Sequence, residues 1–181
     1  MQKQRFWDLC CTCLNEGYFP QQNLKAIKEF LSSKIKGKNL DIGGGWHSYT
    51  KNYCVLDISE KSLQRNQDSN KIKFDLDTLA LGHYLPFQKN TFDTSTLISV
   101  AHYLPSIDKL LQELKRVIKP LGRVYLIQGH NNFLKPIEKF MPTDNDQFYN
   151  QLLQLQYNIH KEEILGTNKR DLIQSFEINF N

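Results

Sequence analysis

Apolar residues recur along this chain at two periods. Leu24, Ile27, Phe30, Leu31 and Ile35 fall three and four positions apart, which puts one apolar stripe on a helix over residues 22–35, stopped at Gly37. The same spacing in Ile107, Leu110, Leu111, Leu114 and Val117 predicts an amphipathic helix over 106–118. Residues 3–14 read as a helix as well, and Ser59 is placed to cap a short one over 59–67. Short apolar runs predict strands over 38–42, 53–57, 71–74, 91–100 and 123–128, with a break at Pro120-Leu121-Gly122. Strands that alternate with helices imply a doubly wound, mostly parallel sheet.

The last third of the chain reads differently. Helices over 133–140 and 145–155 lead into two strands over 157–164 and 172–180, joined by Gly166-Thr167-Asn168. The second alternates through Ile173, Ser175-Phe176, Ile178 and Phe180, so an antiparallel pair is expected at the end of the sheet.

One stretch combines this patterning with chemistry. The strand over 40–42 runs into Gly43, Gly44 and Gly45, and the next strand ends on Asp57. Glycines after a strand let the backbone turn tightly and let a ligand approach main-chain N–H groups. An acid at the tip of the neighbouring strand is placed to bind a ribose diol. Only twelve positions separate Gly45 from Asp57. A parallel crossover normally takes a dozen or more residues with a helix, so the crossover helix is expected to have at most one or two turns, around 46–51. A nicotinamide dinucleotide site would need Gly-x-Gly-x-x-Gly, and the sixth position from Gly43 is Ser48.

Composition narrows the class. At 181 residues, 40% hydrophobic and 23% charged, the chain suits one globular domain. The net charge of +4 is scattered, so composition argues against a nucleic-acid face. Cys10, Cys11 and Cys13 cluster without a second metal-binding group, so no metal site is expected, and reduced buried cysteines suit a reducing, cytoplasmic setting. No apolar stretch has the length of a membrane span. Phe6, Trp7, Tyr18 and Phe19 are expected in the core rather than against a ligand.

Five segments in order carry a family resemblance: Leu-Asp-Ile-Gly-Gly-Gly, Val-Leu-Asp-Ile-Ser, Phe-Asp-Leu-Asp, Leu-Pro-Phe-Gln-Lys-Asn-Thr-Phe-Asp, and Leu-Gln-Glu-Leu-Lys-Arg-Val-Ile-Lys-Pro-Leu-Gly-Arg-Val-Tyr-Leu. Together they resemble the class I S-adenosylmethionine-dependent methyltransferases, most closely the branch acting on small molecules, over roughly residues 38–130. The resemblance implies an α/β fold with a doubly wound, mostly parallel, seven-stranded Rossmann-like sheet, a C-terminal antiparallel strand pair and N-terminal helices. It divides a single domain into a helical cap (1–37), a cofactor-binding core (38–130) and C-terminal helices with a strand hairpin (131–181).

The resemblance further implies S-adenosylmethionine as cofactor, with Asp41, Gly43, Gly44 and Gly45 at its amino-acid end. Asp57 would take the ribose hydroxyls and Ile58 the adenine face. Asp75 would accept from the adenine amino group with the Leu76 N–H beside it, and Asp77 competes for that role. Ser99 and Val100 would lie beside the reactive methyl. Two positions depart from the family pattern: His47 stands where a third glycine is usual, and Leu121 where a glycine usually follows Lys-Pro.

Methyl transfer from a sulfonium is an in-line displacement with a good leaving group, so orientation can supply much of the rate. His102 and His130, after the fourth and fifth strands, are the candidate bases, and His47 a candidate pocket wall. His83 and His160 read as structural or solvent-facing. The expected function is methyl transfer to a small-molecule acceptor. The alternatives are a catalytically silent methyltransferase-like subunit with a protein partner, or a nucleic-acid or protein methyltransferase. No Asn-Pro-Pro-aromatic sequence follows the fourth strand, which argues against the amino-directed nucleic-acid branch.

Overall fold

The computed structural model describes residues 3–13, 21–47, 49–51, 53–68, 70–104, 107–129, 150, 152–164 and 173–180. In chain order the elements are α1 (Lys3–Cys13), α2 (Gln21–Lys34), β1 (Asn39–Ile42), β2 (Cys54–Asp57), α3 (Glu60–Arg65), β3 (Lys71–Lys73), β4 (Phe92–Ile98), α4 (Ile107–Val117), β5 (Ile118–Gly129), β6 (Asn158–Ile164) and β7 (Ile173–Asn179). Two 3-10 turns, Leu76–Leu81 and Ala101–Tyr103, flank β4.

The strands form one seven-stranded sheet in the order β3-β2-β1-β4-β5-β7-β6. β1 to β5 pair in parallel, and β7 runs antiparallel between β5 and β6. The α/β sheet with its antiparallel C-terminal pair is the expected fold class. Helices over 133–140 and the Gly166-Thr167-Asn168 turn lie outside the described residues; of the helix expected over 145–155, residues 150 and 152–154 are helical.

The sheet is packed on both faces. Leu40, Ile42, Leu56, Leu97, Val124 and Leu126 meet the apolar stripe of α4, whose Leu110, Leu111, Leu114 and Val117 are buried. Burying each such side chain contributes roughly 1.5–3 kcal/mol. On the other face Ile27 and Leu31 of α2 pack on Tyr125, Ile127, Ile164 and Ile173. A polar ladder runs through this second face. Asn39 lies between the hydroxyls of Thr94 and Thr96, and Thr96 Oγ1 donates to Asp41 Oδ1 at 2.8 Å. Each buried polar group in it is matched, which is the condition for carrying one in a core.

Two expectations need correction. The crossover helix expected around 46–51 is not seen: its described residues are turn, bend or irregular backbone. The Gly45 carbonyl, which would help to open that helix, instead accepts from Asn66 Nδ2 at 2.9 Å, and Gly45 takes φ +56. Nor does Pro120-Leu121-Gly122 break the chain before the fifth strand. Extended pairing begins at Ile118 opposite Phe92, and the register shifts before Thr94 pairs with Arg123. A bulge absorbs the proline, which has no N–H to give to the ladder, and leaves Leu121 exposed at φ +68.

At the amino ends of the strands, α4 is clipped to the loop before β4. Glu113 Oε2 accepts the Leu85 N–H at 2.8 Å and pairs with Arg116, whose guanidinium also donates to the carbonyls of Leu85 and Phe87. Asp93 accepts the Lys38 N–H at 2.8 Å and pairs with Lys119, joining the starts of β1, β4 and β5.

Candidate ligand cleft at the carboxyl ends of the strands

Four adjacent strands deliver their carboxyl ends to one cleft: β3 through Phe74 and Asp75, β2 through Asp57, β1 through the glycine turn, and β4 through Ser99 and Val100. The cleft offers about 950 Å³ of space between atoms, its open mouth included. It lies where the chain changes direction across the sheet, between β1 and β4, the usual ligand position in open α/β sheets.

The glycine turn is anchored, and its two outer residues need glycine for different reasons. The Gly43 N–H donates to the Leu56 carbonyl at 2.7 Å, at φ +66, and a Cβ there would come within 2.4 Å of Val100 Cγ2. Gly45, at φ +56, faces open space, so its need is backbone conformation rather than room. Its N–H donates to Asp57 Oδ2 at 2.9 Å, and the Ser59 N–H donates to Oδ1 at 2.7 Å. Burial pushes the Asp57 carboxyl up to about 6; the N–H groups of Ser59, Gly45 and Ile58 pull it back and the Asp8 charge raises it further.

Asp41 is buried behind the turn rather than on the wall. A Cβ at Gly44 would lie 2.5 Å from its Oδ2, so the carboxylate backs directly onto the glycine. Of the two competing acids, Asp75 lines the cleft and caps the following 3-10 turn through the Asp77 N–H, whereas Asp77 is paired with Lys3. Ile58, Phe74 and Leu76 supply apolar wall on the same side. Ser99, at φ +54, is fixed by its N–H to the Ile127 carbonyl at 2.8 Å.

His102 belongs to the 3-10 turn Ala101–Tyr103, two positions after Val100 in the chain, and His130 lies outside the described residues. His83 and His160 are exposed. His47 lines the cleft with Trp46 and Tyr49. Its ring meets the Tyr49 ring edge-on at 5.3 Å, and its pKa is lowered by burial and by the Lys28 charge. Burial and the nearby Asp41 charge push the Tyr49 hydroxyl well above its ordinary range.

Several wall and support residues carry no signal in the local sequence. Lys3 and Trp7 of α1 roof the cleft, against the expectation that Trp7 belongs to the core; Tyr18 and Phe19 lie outside the described residues. Trp7 packs edge-on to Tyr103 at 4.7 Å, and Asp8 Oδ1 accepts from Ser59 Oγ at 2.7 Å. These contacts join the first helix to residues more than fifty positions away. Asn66 ends α3 and holds the Gly45 carbonyl. An asparagine just past a helical run could have been read as a cap, though not as a support for the glycine turn.

The cleft fits the cofactor implied by the sequence resemblance. The turn leaves backbone exposed where Gly45 meets open space, Asp57 keeps lone-pair capacity beyond the N–H groups of Ser59, Gly45 and Ile58, and flat apolar wall lies next to Asp75.

Residues 40–126 match the methyltransferase domain family. A ubiquinone/menaquinone biosynthesis C-methyltransferase of Cupriavidus metallidurans is 31% identical over 115 residues, covering 57% of this chain and 47% of that protein. A sterol 4-C-methyltransferase of Caenorhabditis elegans is 35% identical over 75 residues, covering 40% and 20%. The chain thus spans less than half the length of these relatives. Among solved structures, a methyltransferase in complex with the Haloferax volcanii Trm112 methyltransferase activator aligns at a TM-score of 0.68 and 12% identity, covering 89% of this chain and 92% of that one. An S-adenosylmethionine-dependent methyltransferase of Mesorhizobium loti aligns at 0.62 and 17%, covering 86% and 98%. At these identities the structural likeness speaks to the fold.

Proposed function

We propose that this chain, whose core is that of a class I S-adenosylmethionine-dependent methyltransferase, moves the cofactor's methyl group onto a small-molecule acceptor. The observation that carries the reading is the glycine turn hooked onto Asp57 inside a cleft fed by four strand ends.

In this reading Asp57 accepts from the ribose hydroxyls with its remaining lone pairs, and Asp41 steadies the turn from behind. Asp75 and the Leu76 N–H hold the adenine edge, while Ile58 and Phe74 cover its faces. The bound cofactor supplies an activated methyl on a sulfonium with a good leaving group. Ser99 and Val100 would border the methyl, and Lys3 and Trp7 of α1, which line the same cleft, would help to limit water there. The chain's main task is then to hold the acceptor on the methyl axis. His102 and, after it, His130 are the candidate bases for an acceptor that must lose a proton.

Trp7, Ile98, Val100, Tyr103 and Leu104 give the β4 side of the cleft an apolar, aromatic character. That wall, with relatives whose names specify quinone and sterol C-methyl transfer, supports an apolar ring compound as acceptor. No helix among the described residues is long and apolar enough to cross a membrane. The buried free thiol of Cys54 supports a cytoplasmic setting.

The test is transfer of labelled methyl from S-adenosylmethionine to a panel of quinones, sterols and small phenols. Label in product with the wild type, lost in Asp57→Ala, is the expected result. Cofactor binding without transfer to any acceptor would instead favour a silent binding subunit.

A further inference from the structure

We propose that His47 holds the carboxylate at the amino-acid end of the cofactor through its Nε2–H, in the place of a helix N-terminus, which the described residues of this crossover do not form. The inference rests on the cofactor reading above and concerns a residue of the same cleft.

A helix that follows a glycine turn presents free N–H groups to an anion. Here the described residues from 46 to 51 are not helical: they are turn, bend or irregular backbone. The Gly45 N–H is already given to Asp57, and the Gly45 carbonyl is held by Asn66. The Gly43 and Gly44 N–H groups both point to the Leu56 carbonyl. An anion at this end of the cleft therefore needs a side-chain donor.

His47 stands two residues beyond Gly45 and lines the cleft. Its Nε2 is buried and has no hydrogen-bond partner. Such an unmatched buried nitrogen calls for a ligand or water to complete it. The distribution of charge selects the ligand's polarity. Asp57 and Asp75 line the ribose and adenine side, where a carboxylate would be repelled. The Lys28 charge acts on His47 from α2, and the Asp41 charge acts on the neighbouring Tyr49, so Lys28 is the cation that would favour an anion at this corner. The lowered pKa of His47 makes it a neutral donor before the ligand arrives, with the proton carried on Nε2 in the bound tautomer.

Calorimetric titration with two ligands separates this role from packing. S-adenosylhomocysteine carries the amino-acid end; 5′-methylthioadenosine keeps the adenine, ribose and thioether and lacks it. His47→Phe retains a ring without a donor, and His47→Gln retains a donor. The expected result is that His47→Phe weakens S-adenosylhomocysteine by roughly 10- to 100-fold, leaves methylthioadenosine within about twofold, and that His47→Gln recovers much of the loss. Unchanged S-adenosylhomocysteine affinity in His47→Phe would overturn the proposal. So would equal weakening of both ligands, which would make the residue structural. A wild type that binds neither ligand would overturn the cofactor reading itself, and this inference with it.

Discussion

The two ends of the parallel strands treat their carboxylates in opposite ways. At the amino ends, Asp93 lies well below its ordinary range because Lys119 and the Lys38 N–H bond to it. Burial would raise Glu113, and the Arg116 guanidinium with the Leu85 N–H more than offsets that, so it too is lowered. At the carboxyl ends, burial wins over three N–H donors and Asp57 is pushed up to about 6. His47 Nε2 is left there without a partner. One edge has its charges matched within the protein; the other holds polar groups whose matching is incomplete until something else binds. The first arrangement is what stability requires, and the second is what a ligand site looks like before its ligand.

The largest expected consequence is a pair of opposite pH dependences. Asp57 binds its proton more tightly in the folded state, so the stability it contributes is present below about pH 4 and is lost as pH rises through about 6. The loss amounts to up to roughly 3 kcal/mol. Asp93 and Glu113, being lowered, contribute stability above the ordinary carboxylate range and lose it as pH falls. Denaturant unfolding between pH 3 and pH 7, on the order of the window these shifts define, should show Asp57→Asn flattening the upper arm and Asp93→Asn the lower one. The same arm flattened by both substitutions would erase the contrast between the two edges.

The next effect is in the clip at the amino edge. Glu113→Ala leaves the Leu85 N–H and the Arg116 guanidinium without their partner and should cost roughly 2 kcal/mol, less than a fully buried pair because Arg116 is partly exposed. S-adenosylhomocysteine affinity should stay at the wild-type value. A matching loss of affinity would mean the two edges are not separable. The smallest effect is at Leu121, exposed at φ +68. Leu121→Gly removes a left-handed leucine and should stabilise by about 1 kcal/mol in the same unfolding experiment.

Much of the carboxyl edge was legible because it is written locally. The run into Gly43, Gly44 and Gly45 and the strand ending on Asp57 each lie within a few residues, and the sheet brings them together by pairing Leu40, Asp41 and Ile42 with Cys54, Val55 and Leu56. The insertion of β7 between β5 and β6 was not legible, because alternation fixes which face a residue takes and not which strand it pairs with. Nor was the roof. Trp7 looks like any aromatic on an apolar helix until Tyr103 is beside it. The crossover helix failed for a side-chain reason, Asn66 taking the Gly45 carbonyl from a distance of 21 positions. The strand through Pro120 failed for a backbone one, a bulge that a propensity reading treats as a stop.

The central claim is that the unmatched edge is a cofactor site, and thermal unfolding with S-adenosylmethionine and S-adenosylhomocysteine tests it most directly. A ligand at about 100 times its dissociation constant adds roughly 2.7 kcal/mol. For a domain of this size that raises the melting temperature by about 5–10 °C. The account predicts such a shift with the wild type and its disappearance in Asp57→Ala. No shift with either ligand at roughly millimolar concentration, where any binding tighter than about 10 μM would register fully, would contradict it.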